Sequence, residues 1–447
     1  MRTVVLVDGE HYPPVTRWAI ETASERGHEV VGAVFVGGIE KIDPRSLPDI
    51  GVATRAAGSD RMAAVAAAIA EWNPEVVLDL SDEPVLGYRE RMELVAVALT
   101  RGVRYAGADF ELVPPEEGPA IDVPTLAVIG TGKRTGKTAI SGELARLASR
   151  RGEDPIVVAM GRGGPAEPQV AEAGSVTVHG LVELVRAGQH AASDYLEDAL
   201  TTGVTTIGAR RAGGGLAGAP YATNVRQAAE LAAARGPGLV VLEGSGAAVP
   251  PVPWDAGVLV VPAAAPPEYV GGYLGPYRLL RSDLVVVTMA SGPHAGSENL
   301  SALRSHVLRF LDESQLLVTD FVPVPLGDVG DARVFFATTA PGGVAARQVE
   351  HLREATRCEV VGWSARLADR VGFAEDLDAA QEYDVLLTEL KAAAVDIGVE
   401  RAFDRGAEVV FVDNRAVVIE GSSDLDTSLG GVIDLAKQRG AHRARTP

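Results

Sequence analysis

Cysteine is nearly absent from this chain of 447 residues, which has a single one, Cys358. One cysteine excludes an internal disulfide and a metal site built from several cysteines, and it is typical of a reducing compartment. Positive charge is also in deficit, with 41 Lys and Arg against 60 Asp and Glu and a formal net charge of −19. Because so acidic a surface repels phosphate backbones and anionic headgroups, we expect neither a nucleic-acid partner nor a membrane partner.

Long apolar runs are missing as well. The best run, residues 258–265, contains Pro262 and is followed by Pro266, whereas a bilayer span needs about 20 apolar residues. The apolar run near the N-terminus ends at Asp8 and is too short for a signal peptide. We therefore expect a cytoplasmic location.

The chain does have a high apolar content, 47%, and enough length for two or three cores. Apolar strand-like runs alternate with helical patterns, which predicts α/β architecture with parallel sheets covered by helices. We predict a central P-loop NTPase-type parallel sheet with helices on both faces, plus N-terminal and C-terminal α/β segments. The predicted division is an N-terminal α/β domain (residues 1–112), a linker (113–124), a P-loop nucleotide-binding domain (125–330), a C-terminal α/β segment packed on it (331–440) and a tail (441–447).

The most informative segment is residues 125–147, where an apolar strand meets a Gly-rich loop that opens into an amphipathic helix. Loop N–H groups and the positive helix N-terminus bind anions. Lys137 is placed to reach the β- and γ-phosphates of ATP, and the Thr138 hydroxyl to bind Mg²⁺. The predicted ATP-binding residues are Gly130, Thr131, Gly132, Thr135, Gly136, Lys137, Thr138 and Ala139.

This loop differs from a strict Walker A motif because Thr131 occupies the position expected for the first glycine. Its sequence resembles the P-loop of dethiobiotin synthetase-like proteins. A second apolar strand, residues 239–242, ends at Glu243, the position that supplies the metal-side acid in P-loop proteins. We therefore predict Thr138 and Glu243 as Mg²⁺ ligands and ATP with Mg²⁺ as cofactors.

Two arginine-containing segments are candidates for binding an anionic acceptor. Arg162, Gly163 and Gly164 follow the predicted strand at residues 155–160, although an ordinary turn with a solvated arginine is an equal alternative. Residues 203–218 combine six glycines with Arg210 and Arg211. We predict that this second segment lacks regular structure and closes over the substrate; a flexible surface loop is the alternative.

Two acidic clusters follow strands of the N-terminal domain: Asp8, Glu10 and His11 in one, and Asp79, Asp82 and Glu83 in the other. Ligands of parallel sheets bind at this edge, so Asp8, Glu10 and His11 are predicted to bind substrate or a metal. The alternative is that these acids cap the following helices. Near the C-terminus, residues 392–405 are predicted to form a helix.

Five short sequence motifs, taken together, resemble the cyclic 2,3-diphosphoglycerate synthetases along most of the chain. They occupy residues 8–14, 130–138, 160–165, 243–246 and 389–393. The resemblance implies ATP-driven closure of 2,3-diphosphoglycerate into a cyclic phosphoanhydride, with release of ADP and phosphate. Under this hypothesis the catalytic residues are Lys137, Lys133, Arg134 and Glu243, with Arg162 helping to neutralise charge.

Two other interpretations stay open at this stage. One is a dethiobiotin synthetase-like ligase that phosphorylates a carbamate. The other is a non-enzymatic nucleotide switch, although such proteins often carry a lysine five positions before the P-loop lysine, where this chain has Gly132. We also expect a small anionic phosphorylated substrate and, by base rate alone, a homodimer.

Overall fold

The structure is a computed structural model that describes residues 1–43, 47–186, 193–291, 295–390 and 394–445. The chain divides into two compact units. The first contains Met1–Glu116 and Pro266–Arg281, and the second contains Glu117–Ala265 and Ser282–Pro447.

The first unit begins with strands and helices in alternation. Its elements are β1 (Arg2–Val7), α1 (Pro13–Glu25), β2 (Glu29–Phe35), β3 (Thr54–Ala56), α2 (Arg61–Trp72), β4 (Val76–Asp79), α3 (Tyr88–Leu99), β5 (Arg104–Ala106) and β6 (Glu111–Leu112). The strand order is β3-β2-β1-β4-β5-β6, and neighbours are parallel except β5 and β6. The strand order changes direction between β1 and β4. Ligands of such sheets bind at this point.

The second unit contains the P-loop segment. Its first elements are β7 (Thr125–Gly130), α4 (Lys137–Arg150), β8 (Pro155–Gly161), β9 (Gln169–Ala171), α5 (Val178–Arg186), α6 (Asp194–Thr202), β10 (Thr206–Ala212), β11 (Ala222–Thr223), α7 (Val225–Ala234), β12 (Leu239–Glu243) and β13 (Ala256–Pro262). The intervening α8 (Glu268–Gly271) and α9 (Gly275–Leu280) belong to the first unit, where α9 packs on α3.

The second unit continues to the C-terminus with helices on the same sheet. The remaining elements are β14 (Leu284–Thr288), α10 (Ser297–Val307), a 3₁₀ turn (Glu313–Gln315), β15 (Leu316–Pro325), β16 (Arg333–Ala337), α11 (Gly342–Ala355), β17 (Glu359–Ser364), α12 (Arg370–Ala379), β18 (Val385–Glu389), a π-helix (Ala394–Val399), α13 (Glu400–Asp404), β19 (Glu408–Glu420) and α14 (Leu425–Arg443).

One sheet runs through the whole second unit. Its order is β11-β10-β8-β12-β7-β13-β14-β15-β19-β18-β16-β17, with β9 paired to β10. Strands from β10 to β15 are parallel, and so are β19, β18, β16 and β17. The two parallel blocks join through the antiparallel pair β15 and β19. The chain is thus a mixed α/β protein with a large, mostly parallel sheet flanked by helices.

The join makes the carboxyl ends of the two blocks point towards each other along the sheet. Strand β14 last pairs with β15 at Val287 and Val318, whereas β15 continues to Pro325 opposite Val412 of β19. Strand β18 ends beside Val412. The second block is displaced beyond the end of β14 and runs in the opposite direction, so its strands end on the side that faces the first block's carboxyl edge.

Several predictions differ from this fold. Residues 206–212 form β10, so the prediction that residues 203–218 lack regular structure is wrong. Pairing with β8 and β9 fixes this segment despite its glycines. Residues 394–399 form a π-helix and not part of the predicted α-helix over residues 392–405. Residues 391–393, which include Lys391 of the fifth motif, lie outside the described residues.

Two segments sit in different places from the predicted division of the chain. Pro266–Arg281 groups with the first unit, although the sequence prediction assigned it to the nucleotide-binding domain. Helix α14 runs to Arg443 and so includes the first residues assigned to the tail. In the described part of the chain, no helix is both long and apolar enough to cross a membrane.

Candidate active site

The P-loop lies between the carboxyl end of β7 and the first turn of α4, as predicted. Gly136 caps the helix with a φ of 89°, and Lys137 is its first residue. The hydroxyl of Thr288, at the end of β14, donates to the Thr135 carbonyl oxygen at 2.7 Å. This bond ties the loop to a neighbouring strand, so the loop has a defined shape.

Two glycines of the loop have steric reasons for their identity. A Cβ atom on Gly130 would lie 2.8 Å from the Thr135 hydroxyl and 3.0 Å from the Lys137 side chain. A Cβ atom on Gly136 would lie 2.5 Å from the Phe321 ring, and its positive φ is one that residues with side chains rarely adopt. The loop therefore depends on glycine at both positions.

The Lys137 side chain folds back along the loop. Its Nζ donates to the Gly132 carbonyl oxygen at 2.8 Å and to the Thr135 hydroxyl at 3.2 Å. Burial lowers the pKa of Lys137 to about 8; the charge of Glu243 opposes this shift, whereas that of Arg162 adds to it. A buried lysine held over a loop of N–H groups is suited to binding phosphate oxygens.

The predicted metal ligands contact each other directly. The Thr138 hydroxyl donates to Glu243 Oε1 at 2.8 Å. Glu243 ends β12 beside β7 and is buried, and its Oε2 has no hydrogen-bond partner. Hard oxygen donors with an orphaned buried carboxylate oxygen fit Mg²⁺, which binds through one or two carboxylates together with water and phosphate oxygens.

A second buried acid faces Glu243 and was missed in the sequence. Asp198 lies on α6, which packs on β8, β10 and α4. It is 1% exposed, and neither carboxylate oxygen has a hydrogen-bond partner. Burial and the charge of Glu243 raise the pKa of Asp198 well above its usual range. The signal in the sequence was the spacing of Asp194 and Asp198, four residues apart and so on one helix face.

Two of the predicted arginines converge on the loop that follows Glu243. A Cβ atom on Gly246 would lie 2.7 Å from Arg162 Nη2 and 3.1 Å from Arg211 Nη2. Arg211 donates to the Ser245 carbonyl oxygen at 2.7 Å, and burial together with the nearby Arg162 lowers its pKa. Both guanidinium groups affect Lys137 electrostatically, so cations from three strand ends gather at one edge.

Arg210 and Gly164 have a different setting. Because β10 is a strand, the side chains of Arg210 and Arg211 point to opposite faces of the sheet, and the strand does not present them as a pair. A Cβ atom on Gly164 would lie 2.0 Å from the Ala209 carbonyl oxygen, so close packing on β10 requires glycine there. Gly163 accepts a hydrogen bond from Ser193 at 3.4 Å.

Lys133 and Arg134 are exposed at the outer turn of the P-loop, where Arg134 has a φ of 60°. Ala139 lies in the first turn of α4. Among the described residues, neither cation makes a side-chain hydrogen bond or an ion pair, and their catalytic role stays a prediction.

Another polar cluster lies at the carboxyl edge of the C-terminal block. Glu389, which ends β18, is buried and accepts hydrogen bonds from Thr338, Thr339 and Asn414. The same block is fastened to the P-loop helix. Arg415 of β19 donates to Glu143 of α4 at 2.9 Å.

The predicted substrate residues of the first unit form a closed hydrogen-bond cluster. Asp8 Oδ1 accepts from the backbone N–H groups of Glu10 and His11 at 3.0 and 3.2 Å and lies 2.8 Å from His11 Nδ1. Asp8 Oδ2 accepts from the Asp82 N–H at 2.6 Å. Loop N–H groups thus occupy both oxygens of Asp8, but Asp8 does not cap the following helix, whose N-cap Tyr12 makes no side-chain hydrogen bond. Substrate binding by Asp8, Glu10 and His11 stays a prediction.

These features define a class of protein, namely an α/β protein with a P-loop phosphate site at the carboxyl edge of its sheet. Three sequence profiles of one family match the chain. Their descriptions are the N-terminal domain, the P-loop domain and the C-terminal domain of cyclic 2,3-diphosphoglycerate synthetase, over residues 2–113, 125–319 and 325–415. The chain therefore belongs to the cyclic 2,3-diphosphoglycerate synthetase family.

Similar proteins with that name occur in several organisms. The protein of Rubrobacter xylanophilus is 47% identical over 99% of both chains. That of Methanothermobacter thermautotrophicus is 40% identical over 97% of this chain and 96% of its own, and that of Methanothermus fervidus is 38% identical over 97% of both. A solved DUF1611 family protein from Anabaena variabilis covers 90% of this chain and 98% of its own at 11% identity, with a TM-score of 0.17 that supports no inference.

Proposed function

We propose that this chain closes 2,3-diphosphoglycerate into its cyclic phosphoanhydride with ATP as the phosphoryl donor, releasing ADP and phosphate. The observation that carries the proposal is the gathering of Lys137, Arg162 and Arg211 beside the Thr138–Glu243 pair. This arrangement joins a nucleotide phosphate site to cations able to bind a second polyanion. The names of the relatives supply the substrate.

The proposed reaction has two displacements. An oxygen of one substrate phosphate attacks the γ-phosphorus of ATP, and the bond to ADP breaks. An oxygen of the other substrate phosphate then attacks the phosphorus that carries the transferred group. The outer phosphate leaves as inorganic phosphate, and a P–O–P bridge closes the ring, so every bond formed is matched by one broken.

The residues of the site have separate roles in this proposal. Lys137 and the loop N–H groups bind the β- and γ-phosphates of ATP, and Thr138 and Glu243 would hold Mg²⁺. When bound, Mg²⁺ neutralises charge that develops on the phosphate oxygens. The substrate carries up to about five negative charges at neutral pH. Arg162 and Arg211, with Lys133 and Arg134 of the outer loop, offset the repulsion between its two phosphates.

The proposal is tested by ³¹P NMR of the purified protein with Mg-ATP and 2,3-diphosphoglycerate. We expect new phosphoanhydride resonances in the phosphoglycerate product, beside ADP and inorganic phosphate. ADP and phosphate with unchanged diphosphoglycerate would contradict the proposal. Turnover of diaminopelargonate would favour the ligase alternative, and an ATPase stimulated only by another protein would favour the switch.

Two further expectations belong to this proposal. We propose that the protein acts in the cytoplasm, which is supported by its single cysteine. We also propose a homodimer, the commonest symmetric assembly. Light scattering after size-exclusion chromatography tests the dimer, and a monomeric mass at micromolar concentration would contradict it.

A further inference from the structure

The buried acids beside the P-loop are in an unusual state. Asp198 and Glu243 are 1% and 4% exposed, and three of their four carboxylate oxygens receive no hydrogen bond from the described residues. Buried polar groups are normally satisfied, and a buried charge is costly unless it is paired or binds a metal. The two carboxyl groups face each other, and no other side chain or N–H group among the described residues satisfies these three oxygens. A cation is therefore a suitable partner for the pair.

The nearby cations do not fill that role. Lys137 donates to the Gly132 carbonyl oxygen and the Thr135 hydroxyl. Arg211 donates to the carbonyl oxygens of Ser245 and Gly213. Neither side chain hydrogen-bonds to the two acids, although the charges of Glu243 and Arg211 both act on Lys137.

The packing of α6 fixes the position of Asp198. Helix α6 packs on α4, β8 and β10, and Leu196 and Ala199 are buried on either side of Asp198. This packing holds the Asp198 carboxylate against Glu243 at the end of β12. The first turn of the P-loop helix supplies the Thr138 hydroxyl to the same point.

We propose that Asp198 is the second carboxylate of the divalent-cation site, completing a set with Glu243 and Thr138. Two carboxylates and a hydroxyl leave positions for water and nucleotide phosphate oxygens, which is how proteins usually bind Mg²⁺. Among the described residues, no three Asp, Glu, His or Cys side chains form a group that could hold a metal ion. The site therefore depends on the nucleotide to complete it. This inference rests on the proposed use of a nucleotide with Mg²⁺.

The first test measures Mn²⁺ binding by electron paramagnetic resonance of the free ion, in the presence of saturating ADP. Asp198→Asn should raise the dissociation constant at least about tenfold, a loss typical of perturbed metal shells. Glu197→Gln, which removes one negative charge from the neighbouring position of the same helix, should change it by less than about twofold. Wild-type affinity in a folded Asp198→Asn protein would overturn the proposal.

Thermal unfolding gives a second readout on the same variants. Without metal, Asp198→Asn should melt at or above the wild-type temperature, because the amide removes one of two facing carboxyl groups. Adding Mn²⁺ to the variant's ADP complex should also raise its melting temperature by less than it does in the wild type. A wild-type rise in the variant would contradict the proposal.

A measurement on protein with wild-type Asp198 covers the case in which the variant does not fold. With aspartate labelled with ¹³C at its side-chain carboxyl carbon, bound Mn²⁺ should show a ¹³C hyperfine coupling that persists in Asp194→Asn. Absence of that coupling would overturn the assignment. If the metal result holds and no cyclic product forms, the proposed function fails while the metal site stands.

Discussion

Buried acids lie at strand ends in both units, and their hydrogen bonding differs. Asp8 follows β1 of the first unit and accepts three backbone N–H groups and His11. Glu243 ends β12 of the second unit, and its Oε2 has no hydrogen-bond partner. Neither carboxylate oxygen of Asp198, on α6, has one. At the sheet edge of the first unit a buried acid thus organises loop N–H groups, whereas in the second unit Glu243, with Asp198 of α6 facing it, has an oxygen that no hydrogen-bond donor of the described residues satisfies.

Glu389 and Glu143 extend the comparison within the second unit. Glu389 is saturated by Thr338, Thr339 and Asn414, and Glu143 is paired with Arg415. Both are buried, yet neither has an unsatisfied oxygen such as Oε2 of Glu243. Whether the oxygens of a buried acid are hydrogen-bonded, and not whether the acid is buried, distinguishes a structural residue from a candidate metal ligand.

The largest expected effect is at the P-loop edge. Lys137→Ala should lower turnover by at least about a thousandfold, because the phosphates of ATP lose their buried cation. The variant should fold, since it removes a buried charge. Turnover by NMR and folding by circular dichroism check this. Arg150→Ala on the same helix is the control, because its pairing with Asp426 is exposed and contributes little. Retained synthetase activity in Lys137→Ala would refute the assignment.

Neighbouring arginines on β10 give the next effect. Arg211→Ala should raise KM for the diphosphoglycerate by about 10- to 100-fold, since charge-assisted hydrogen bonds contribute about 1.5–3 kcal/mol. Arg210→Ala should have a smaller effect because its side chain points to the other face of the sheet. Steady-state kinetics of the two variants, with melting temperatures, make the comparison. Equal effects would show that the strand geometry does not decide substrate contact.

Asp8→Asn tests the saturated side of the comparison. The amide nitrogen would face an N–H group that now has an acceptor, so we expect a loss of about 1–3 kcal/mol in the free energy of unfolding. Chemical denaturation measures this loss. A stable variant with a raised KM would instead favour the predicted role of Asp8, Glu10 and His11 in substrate binding, and would break the comparison.

The smallest effect concerns the acid paired between the two blocks of the sheet. Burial alone would raise the pKa of Glu143, but the hydrogen bond from Arg415 and the charge of Arg146 lower it below its ordinary value of 4.5. The folded state therefore holds its proton less tightly than the unfolded state. The stabilisation is present above about pH 4.5 and is lost as the pH falls through the lowered pKa.

Denaturation of the wild type and Glu143→Gln at several pH values measures this effect. The variant should be less stable at neutral pH, and the difference should shrink below about pH 4.5. A difference that stays constant into acid would show that the Glu143 charge contributes nothing at this junction.

The local part of the site was predictable from sequence. The P-loop motif predicted a strand, a Gly-rich loop and a helix within residues 125–147, and the structure gives the strand Thr125–Gly130 and the helix Lys137–Arg150. Glu243 was predicted from its strand, and it contacts Thr138. These features depend on glycine conformation and on short apolar runs, which are local properties.

The rest depends on tertiary contacts that no local pattern encodes. Strand β10 was not predicted because its segment is rich in glycine. It is a strand because β8 and β9 pair with it. Asp198 was missed because the face that α6 buries is decided by its packing on other elements. The join of β15 to β19 is likewise a long-range pairing, so the continuous sheet was not visible in the sequence.

The central claim is that a substrate phosphate attacks the γ-phosphorus of ATP. It is tested most directly with 2,3-diphosphoglycerate whose non-bridging phosphate oxygens are ¹⁸O, by following inorganic phosphate with ³¹P NMR. The account predicts cyclic product together with inorganic phosphate that carries one ¹⁸O from the substrate, seen as an isotope shift. Released phosphate without ¹⁸O would mean that water attacks ATP, and would contradict the account.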